Sequence, residues 1–294
     1  GDTENRRKAD IRDNTDIIIT NFSGLNYYLR DHTKWRKFYR NVDLVVTDES
    51  HTYTGVQGMH VSWVIRRLKR VLDHYNSTPQ FVCSTATIGN PKEHSESLIG
   101  EEFEVIDSDG SPRGKREVAI WQPRMNSKPT EFGDAGRRSS NSEVASITTH
   151  LAKHGVQTLS FVRSRQGCEV AAKRSKQSSD EHSIDSEISV APYHAGLSKP
   201  RRAKIEDGLK SGRIDAVFTT NALELGIDIG EVDATVLCGY PGTRQSFWQQ
   251  IGRSGRGASD SLSIFVSKDA AMDQYIIDNP SYILEDDVED AVVT

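Results

Sequence analysis

Two groups of charged residues, far apart in the chain, have types and spacing suited to phosphate chemistry. Asp48 and Glu49 closely follow the apolar run 42–46. At the tip of a strand, such a pair could hold Mg²⁺ through Asp48 and orient and deprotonate an attacking water through Glu49. Arg253 and Arg256, three residues apart on a predicted helix, could meet the charge that develops on the attacked phosphate. Together the two groups predict a protein driven by ATP hydrolysis.

Further polar residues follow other apolar runs. Ser84 and Thr87 offer hydroxyls that could bond to the segment with the acidic pair, although an ordinary capped turn has the same composition. Gly226 permits a tight turn, and Asp228 is placed to reach a ribose hydroxyl. Two glycines in the segment 252–256 would weaken an exposed helix by about 1 kcal/mol each, so a turn or a phosphate contact is the better interpretation.

The elements that must position these residues follow an α/β pattern. Short β-branched runs alternate with helical patterns, which predicts parallel strands joined by crossover helices. Nine strands are predicted, at 16–20, 43–47, 80–84, 103–106, 158–162, 188–191, 214–218, 234–237 and 262–266, and 118–121 could add another. The predicted organisation is a partial first lobe at 1–106, a linker at 107–141, a second lobe at 142–270 and an acidic C-terminal extension at 271–294, whose end is expected to be solvated.

Composition restricts the partners and the compartment. The 294 residues suggest two domains, and no apolar stretch approaches the roughly 20 residues needed to span a bilayer. The net charge of -5 excludes a globally basic surface, so a polyanion is expected to bind along a local groove. The three cysteines are far apart, which favours neither a disulfide framework nor a zinc site. The expected location is the cytoplasm, with nucleoid association in a prokaryote.

The motifs, in order, resemble those of superfamily 2 helicases. The matching segments for motifs II, III, IV, a connecting segment, V and VI are 48–51 (Asp-Glu-Ser-His), 84–87 (Ser-Thr-Ala-Thr), 161–165, 193–197, 220–230 and 249–256. Within the superfamily, the chain resembles the DExH-box DNA helicases related to the fungal fourth-type RecQ-like helicases and the bacterial mitomycin repair factor A. The fold implied by this resemblance is two tandem RecA-like lobes with parallel sheets, the first of them incomplete.

The resemblance also implies cofactors and residue roles. The cofactors are ATP and Mg²⁺, with Asp48 serving Mg²⁺, Glu49 the water and His51 in the same motif. The role implied for Ser84 and Thr87 is to couple ATP to DNA. The nucleotide contacts implied in the second lobe are Gly226 and Asp228, together with Gln249, Arg253 and Arg256, which would close on the triphosphate.

The same resemblance implies a DNA partner. The family is implied to act in DNA repair and to move 3′ to 5′ on single-stranded or 3′-tailed DNA. The residues that would face the DNA phosphates, without reading bases, are Thr20, Asn21, Arg163, Ser164, Arg165 and Thr220. For Arg163 and Arg165, a solvated helix start is an equally simple interpretation.

The sequence departs from the family pattern at both ends. It contains no Gly-x-x-x-x-Gly-Lys-[Ser/Thr] loop, and it lacks the family's cysteine-rich zinc-binding region. The segment 110–116 is too short and lacks the hydroxyl residue of such a loop. The resulting expectation is a helicase core that needs a missing amino-terminal segment and leaves apolar sheet surface uncovered in the first lobe. Two alternatives stay open: a catalytically inactive nucleic-acid-binding or assembly module, and movement on RNA.

Overall fold

Apolar β-branched runs form two parallel sheets, which confirms the predicted α/β class. The computed structural model describes residues 12, 14–108, 110, 114–126, 136–180, 188–224, 229–230, 232–255, 259–285 and 287–293. The strands are β1 (Leu44–Thr47), β2 (Gln80–Cys83), β3 (Arg116–Trp121), β4 (Thr158–Phe161), β5 (Val190–Tyr193), β6 (Ala216–Thr219), β7 (Ala234–Cys238) and β8 (Ser261–Val266).

Helices connect these strands. The α-helices are α1 (Phe22–Arg30), α2 (Arg36–Arg40), α3 (Gly55–His74), α4 (Pro91–Ile99), α5 (Ser140–Lys153), α6 (Arg165–Asp180), α7 (Lys199–Lys210), α8 (Arg244–Ile251), α9 (Ala271–Asp278) and α10 (Ser281–Leu284). Short 3-10 helices occupy His32–Trp35, Ser50–Thr52 and Asn221–Leu223. The chain divides into unit 1, residues 1–108 and 288–294, and unit 2, residues 109–287.

Unit 1 is built on the pair β1 and β2, which run in register from Leu44 beside Gln80 to Thr47 beside Cys83. Helix α3 follows β1 and buries one apolar stripe, because its apolar residues recur at helical spacing. The buried residues of that stripe include Val61, Ile65, Leu68 and Leu72. Parallel strands with a long crossover helix place the residues after β1 and β2 at the same edge of the sheet.

Unit 2 contains a six-stranded sheet in the order β3-β8-β7-β4-β6-β5. Successive residues of its strands enter different core clusters: Val217 packs in one, whereas Ala216 and Phe218 pack in the other. Both faces of the sheet are therefore covered, which explains why apolar residues occupy consecutive positions in strands such as β6 and β7. The carboxyl ends of β4, β5 and β6 lie together at one edge.

Two predicted strands are absent from the described residues. The segment 16–20 is irregular chain that pairs with no described strand, and Ile17 and Ile19 are 80% and 97% exposed. The segment 103–106 follows α4 as irregular chain, with Phe103 against the core and Ile106 exposed. A β-branched run becomes a strand only where a neighbouring edge offers hydrogen bonds. The expectation of uncovered apolar sheet surface in the first lobe is met on β1 itself, where Leu44 and Val46 are 53% and 56% exposed.

Two further segments differ in part from their expected roles. Within the predicted linker, residues 116–121 form β3, an edge strand of unit 2 beside β8, so the optional strand at 118–121 is confirmed. Near the C-terminus, α9 and α10 bury Ile276 and Ile283, and Ala291 is buried in unit 1. The expectation of a solvated end is therefore wrong for Ala291, because hydrogen bonds hold its backbone.

Candidate functional site

The carboxyl ends of β1 and β2 bring the acidic pair and the serine of the next segment together. The Ser84 backbone N–H donates to the Thr47 carbonyl at 3.0 Å, which continues the sheet by one residue. The Ser84 hydroxyl donates to Oδ1 of Asp48, and the Glu49 N–H donates to the same oxygen at 3.0 Å. The contact predicted between the two segments is therefore present. Thr87, by contrast, is exposed and makes no hydrogen bond to another described residue.

Glu49 has an unusual backbone conformation for a residue with a side chain. Its φ of 50° lies in the left-handed region, which costs a non-glycine residue about 1–2 kcal/mol. The 3-10 turn Ser50–Thr52 follows at once, and Thr52 donates to the Glu49 carbonyl from both its N–H and its hydroxyl, at 3.0 and 2.8 Å. These bonds hold the turn that fixes the direction of the partly exposed Glu49 side chain.

His51 connects the two segments of this edge. Its side chain is buried, and Nδ1 accepts a hydrogen bond from the Ala86 N–H at 3.1 Å. A ring that accepts at Nδ1 carries its proton on Nε2. That nitrogen lies 3.5 Å from Oε2 of Glu49, so His51 presents its N–H side to the carboxylate. The structure thus places Asp48, Glu49, His51 and Ser84 in one cluster.

The residues predicted to face nucleic acid lie at edges and helix starts. In unit 2, Arg163, Ser164 and Arg165 are exposed after β4. Thr220 follows the neighbouring strand β6 at the same edge, since Phe161 pairs with Thr219.

Several polar groups of these segments already have partners. Arg163 donates from Nη2 to the Tyr240 carbonyl at 3.0 Å. The hydroxyl oxygens of Ser164 and Thr220 accept from the N–H groups of Gly167 and Ala222, at the starts of their own helices. These bonds order the segments, and Arg165 is exposed at the start of α6.

In unit 1, Thr20 and Asn21 lie at the start of α1. The Asn21 side chain caps that helix by accepting from the Gly24 N–H at 2.7 Å, and Thr20 donates weakly to the Asn21 carbonyl at 3.3 Å. Both residues are exposed. A capped helix start of this kind directs backbone N–H groups outward, which suits a phosphate.

The arginine segment differs from the prediction in its local structure. Helix α8 ends at Ile251, so Arg253 lies in the turn after the helix rather than on it. Gly255 has φ of 69°, which supports the interpretation of this glycine as a turn residue. Arg253 is buried, and its Nε and Nη2 both donate to the backbone carbonyl of Glu224. Gln249 lies on α8 and is partly exposed.

Glu224 is the buried centre of this region, and the sequence interpretation gave it no role although it lies within the segment 220–230. Its carboxylate accepts from the Ser246 hydroxyl and from Nε2 of Gln250, the latter at 3.0 Å, while its carbonyl accepts from Arg253. It is 7% exposed. One signal was available: an acid between Leu223 and Leu225 in an apolar run needs buried partners.

Three predicted site residues, Gly226, Asp228 and Arg256, lie outside the described residues. Among the residues that are described, no group of three or more His, Cys, Asp and Glu side chains forms a metal cluster. None of the helices in the described part is long and apolar enough to cross a membrane. Asp48 alone could still serve a cation that is also bound by a nucleotide, because only its Oδ1 accepts hydrogen bonds from described residues.

Two protein families match this chain, one over each group of site residues. Residues 1–94 match the DEAD/DEAH box helicase family, and residues 142–258 match the helicase conserved C-terminal domain. The chain is 40% identical to the uncharacterised ATP-dependent helicase YprA of Bacillus subtilis, over 99% of the chain and 38% of that protein. It is 37% identical to ATP-dependent helicase HRQ1 of Saccharomyces cerevisiae, over 97% of the chain and 27% of that protein. The chain thus spans less than two fifths of the length of these relatives.

Two solved helicase structures resemble the whole of this chain. The DUF1998 helicase MrfA bound to DNA is 39% identical, with a TM-score of 0.92 over 100% of this chain and 39% of MrfA. Helicase Lhr of Mycobacterium smegmatis, bound to single-stranded DNA and AMP-PNP, is 26% identical, with a TM-score of 0.79 over 100% of this chain and 37% of Lhr. The α/β structure is therefore RecA-like. The chain belongs to the superfamily 2 ATP-dependent helicases, in the branch that contains MrfA and Hrq1.

Proposed function

We propose that the chain is the core of an ATP-dependent DNA helicase that moves 3′ to 5′ on single-stranded DNA and acts in DNA repair. The observation that carries the proposal is the hydrogen-bonded cluster of Asp48, Glu49, His51 and Ser84 at the end of β1 and β2. MrfA, which is 39% identical, has been solved with DNA and AMPPNP, which supports the same ligands here. Polarity and the repair role are proposed from the resemblance to this branch.

We propose a distinct task for each side chain of the cluster. Oδ1 of Asp48 accepts from Ser84 and from the Glu49 N–H, which leaves Oδ2 to hold the Mg²⁺ of bound ATP. That Mg²⁺, when bound, would neutralise charge on the phosphates. Glu49 takes the proton of the attacking water, and the Nε2–H of His51 keeps its carboxylate in place. Ser84 joins the metal-binding carboxylate to the segment 84–87, which we propose couples ATP to DNA.

The remaining proposed contacts with the triphosphate are Gly226, Asp228, Gln249, Arg253 and Arg256. Because the guanidinium of Arg253 already binds the Glu224 carbonyl, we assign the main charge-neutralising role to Arg256. The exposed residues after β4 and β6 and at the start of α1 would hold the DNA phosphates, and such contacts carry no base preference.

A tailed-duplex assay tests the proposal. The protein is a longer chain that carries a Gly-x-x-x-x-Gly-Lys-[Ser/Thr] loop ahead of residue 1, with 3′-tailed and 5′-tailed DNA duplexes as substrates. We expect ATP-dependent unwinding of the 3′-tailed duplex alone. Asp48→Ala should abolish it and weaken Mg²⁺-ATP binding, whereas Asp278→Ala, on the exposed face of α9, should not.

Each failure in this assay has a separate meaning. Unwinding from the 5′-tailed duplex would refute the polarity. Unwinding that requires an RNA tail would refute the DNA assignment. DNA binding without any ATP turnover would favour the inactive binding module over the motor.

A further inference from the structure

The last described residues of the chain, 288–293, lie along unit 1 and have no part in the function proposed above. We call this segment the latch. Asn90 binds both backbone groups of one latch residue: its Nδ2 donates to the Ala291 carbonyl at 3.0 Å, and its Oδ1 accepts from the Ala291 N–H at 2.8 Å. On either side, the Gly89 N–H donates to the Glu289 carbonyl and the Gly55 N–H to the Val292 carbonyl, at 3.1 and 2.8 Å. Unit 1 therefore recognises the latch backbone along its length.

Close packing adds to these hydrogen bonds. Ala291 is buried, and Val293 packs against the core cluster that contains Val61 and Ile65 of α3. The chain also approaches Gly89 very closely, because a Cβ atom there would lie 2.7 Å from the Val288 carbonyl oxygen. A groove that excludes even one methyl group holds the latch in a single position.

His94 joins the latch to the turn that carries Glu49. This α4 side chain is almost fully buried, at 1% exposed. Its Nδ1 lies 3.2 Å from the Ala291 carbonyl oxygen, and its Nε2 lies 2.9 Å from the carbonyl oxygen of Ser50. The same Ser50 oxygen accepts from the Tyr53 N–H at 3.0 Å and so closes the 3-10 turn directly after Glu49. Both carbonyl oxygens can only accept, so the ring donates to the two of them together when each ring nitrogen carries a proton, and in that form it spans from the latch to the turn after Glu49.

We propose that His94 is a positioning residue, through which the seated latch holds the Glu49 turn in its hydrolytic geometry. The inference rests on the function proposed above. The latch belongs to unit 1, whereas residue 287, which directly precedes it, belongs to unit 2, so the chain passes from unit 2 straight into the latch. A latch that leaves its groove would remove the Ala291 contact of His94 and loosen the support of Ser50. The rate of hydrolysis would then depend on whether the latch is seated in its groove.

Amide hydrogen exchange tests the coupling in this chain without nucleotide. Gly89→Ala inserts a methyl group between the groove and the latch and removes no hydrogen-bonding group. We expect the amides of Gly55 and Ala291 in the latch contact, and of Tyr53 in the turn, to exchange about tenfold faster, as for loss of one hydrogen bond. Gly110→Ala is the matched control, because a Cβ there meets no atom within 4 Å. Faster exchange at Ala291 with wild-type exchange at Tyr53 would overturn the proposal, as would no change at either.

Kinetics of two His94 variants test the catalytic consequence, in a chain that carries the phosphate-binding loop. His94→Ala should lower kcat for ATP by about tenfold and leave KM for ATP nearly unchanged. His94→Gln should recover most of kcat, since its amide can still donate to the Ser50 carbonyl. Wild-type kcat in His94→Ala, or no recovery in His94→Gln, would overturn the positioning role. Absence of turnover in the wild type would instead refute the proposed function, and the exchange experiment would remain decisive for the coupling.

Discussion

Replacing Glu224 by alanine should destabilise unit 2 strongly, because Glu224 is the shared acceptor between the segment after β6 and helix α8. Its carboxylate accepts from Ser246 and from Gln250, and it is buried. Alanine would leave these two donors without an acceptor. A buried donor that loses its partner costs about 1–3 kcal/mol, which applies to Gln250, while the half-buried Ser246 adds less because water can reach it, so the loss amounts to about 1–4 kcal/mol. The Arg253 bonds to the Glu224 carbonyl involve backbone and should survive.

Native-state hydrogen exchange measures this loss within unit 2. The reporter is the Val162 N–H, which donates to the Thr219 carbonyl at 2.8 Å at the edge of the central strands. This amide exchanges when the sheet unfolds, so the free energy of that opening should fall by about 1–4 kcal/mol in Glu224→Ala.

A surface glutamate provides the matched control. Glu117 pairs with Lys115 and its side chain is largely exposed, so Glu117→Ala should change the opening free energy by less than about 1 kcal/mol. Equal effects of Glu117→Ala and Glu224→Ala would refute the reasoning, because they would mean that water satisfies the Ser246 and Gln250 donors when the carboxylate is absent.

Three further predictions concern other residues. Arg165→Ala should reduce the slope of log binding constant against log salt concentration for single-stranded DNA by about 0.7, as for one lost phosphate contact. Arg213→Ala, which lies before β6 at the opposite edge, should leave this slope unchanged. Equal slopes for the two variants would make Arg165 a solvated residue. Burial raises the pKa of Cys168 to about 12 and that of Cys238 to about 11. At pH 8, iodoacetamide should therefore label the half-buried Cys83 first. Equal labelling rates for the three cysteines would contradict the burial of Cys168 and Cys238. Gly255→Ala should lower the thermal unfolding temperature of unit 2 by more than Gly212→Ala does. Both glycines have positive φ, but only a Cβ at Gly255 would meet Ser261. Equal losses would exclude a packing role for Gly255.

The sequence alone was sufficient to predict the structure where one local pattern determined it. The runs that became β1, β2 and β4 are apolar, short and followed by polar residues, and parallel pairing then places Asp48 beside Ser84 without further information. The run 16–20 has the same β-branched composition, yet it pairs with no described strand, because strand formation depends on an edge that the run itself does not specify.

Contacts that form only after several elements have packed together could not be predicted. Glu224 meets Gln250 only after β6 and α8 are in place, and Asn90 meets Ala291 across 201 residues of chain. The composition of residues 285–290 favoured a solvated end, because acidic residues seldom enter a core. The latch instead docks through its backbone and through Ala291 and Val293, and backbone hydrogen bonding leaves little trace in a single sequence.

The central claim is that Glu49 activates water for ATP hydrolysis, and its most direct test is the turnover of Glu49→Gln. In a chain with a phosphate-binding loop ahead of residue 1, single-stranded DNA should stimulate ATP hydrolysis by the wild type. Because glutamine keeps the size of the side chain and loses its basicity, Glu49→Gln should lower kcat by about 10²–10⁴-fold while binding of ATP and DNA stays near the wild-type level. Turnover and unwinding of a 3′-tailed duplex at close to the wild-type rate would contradict the assignment.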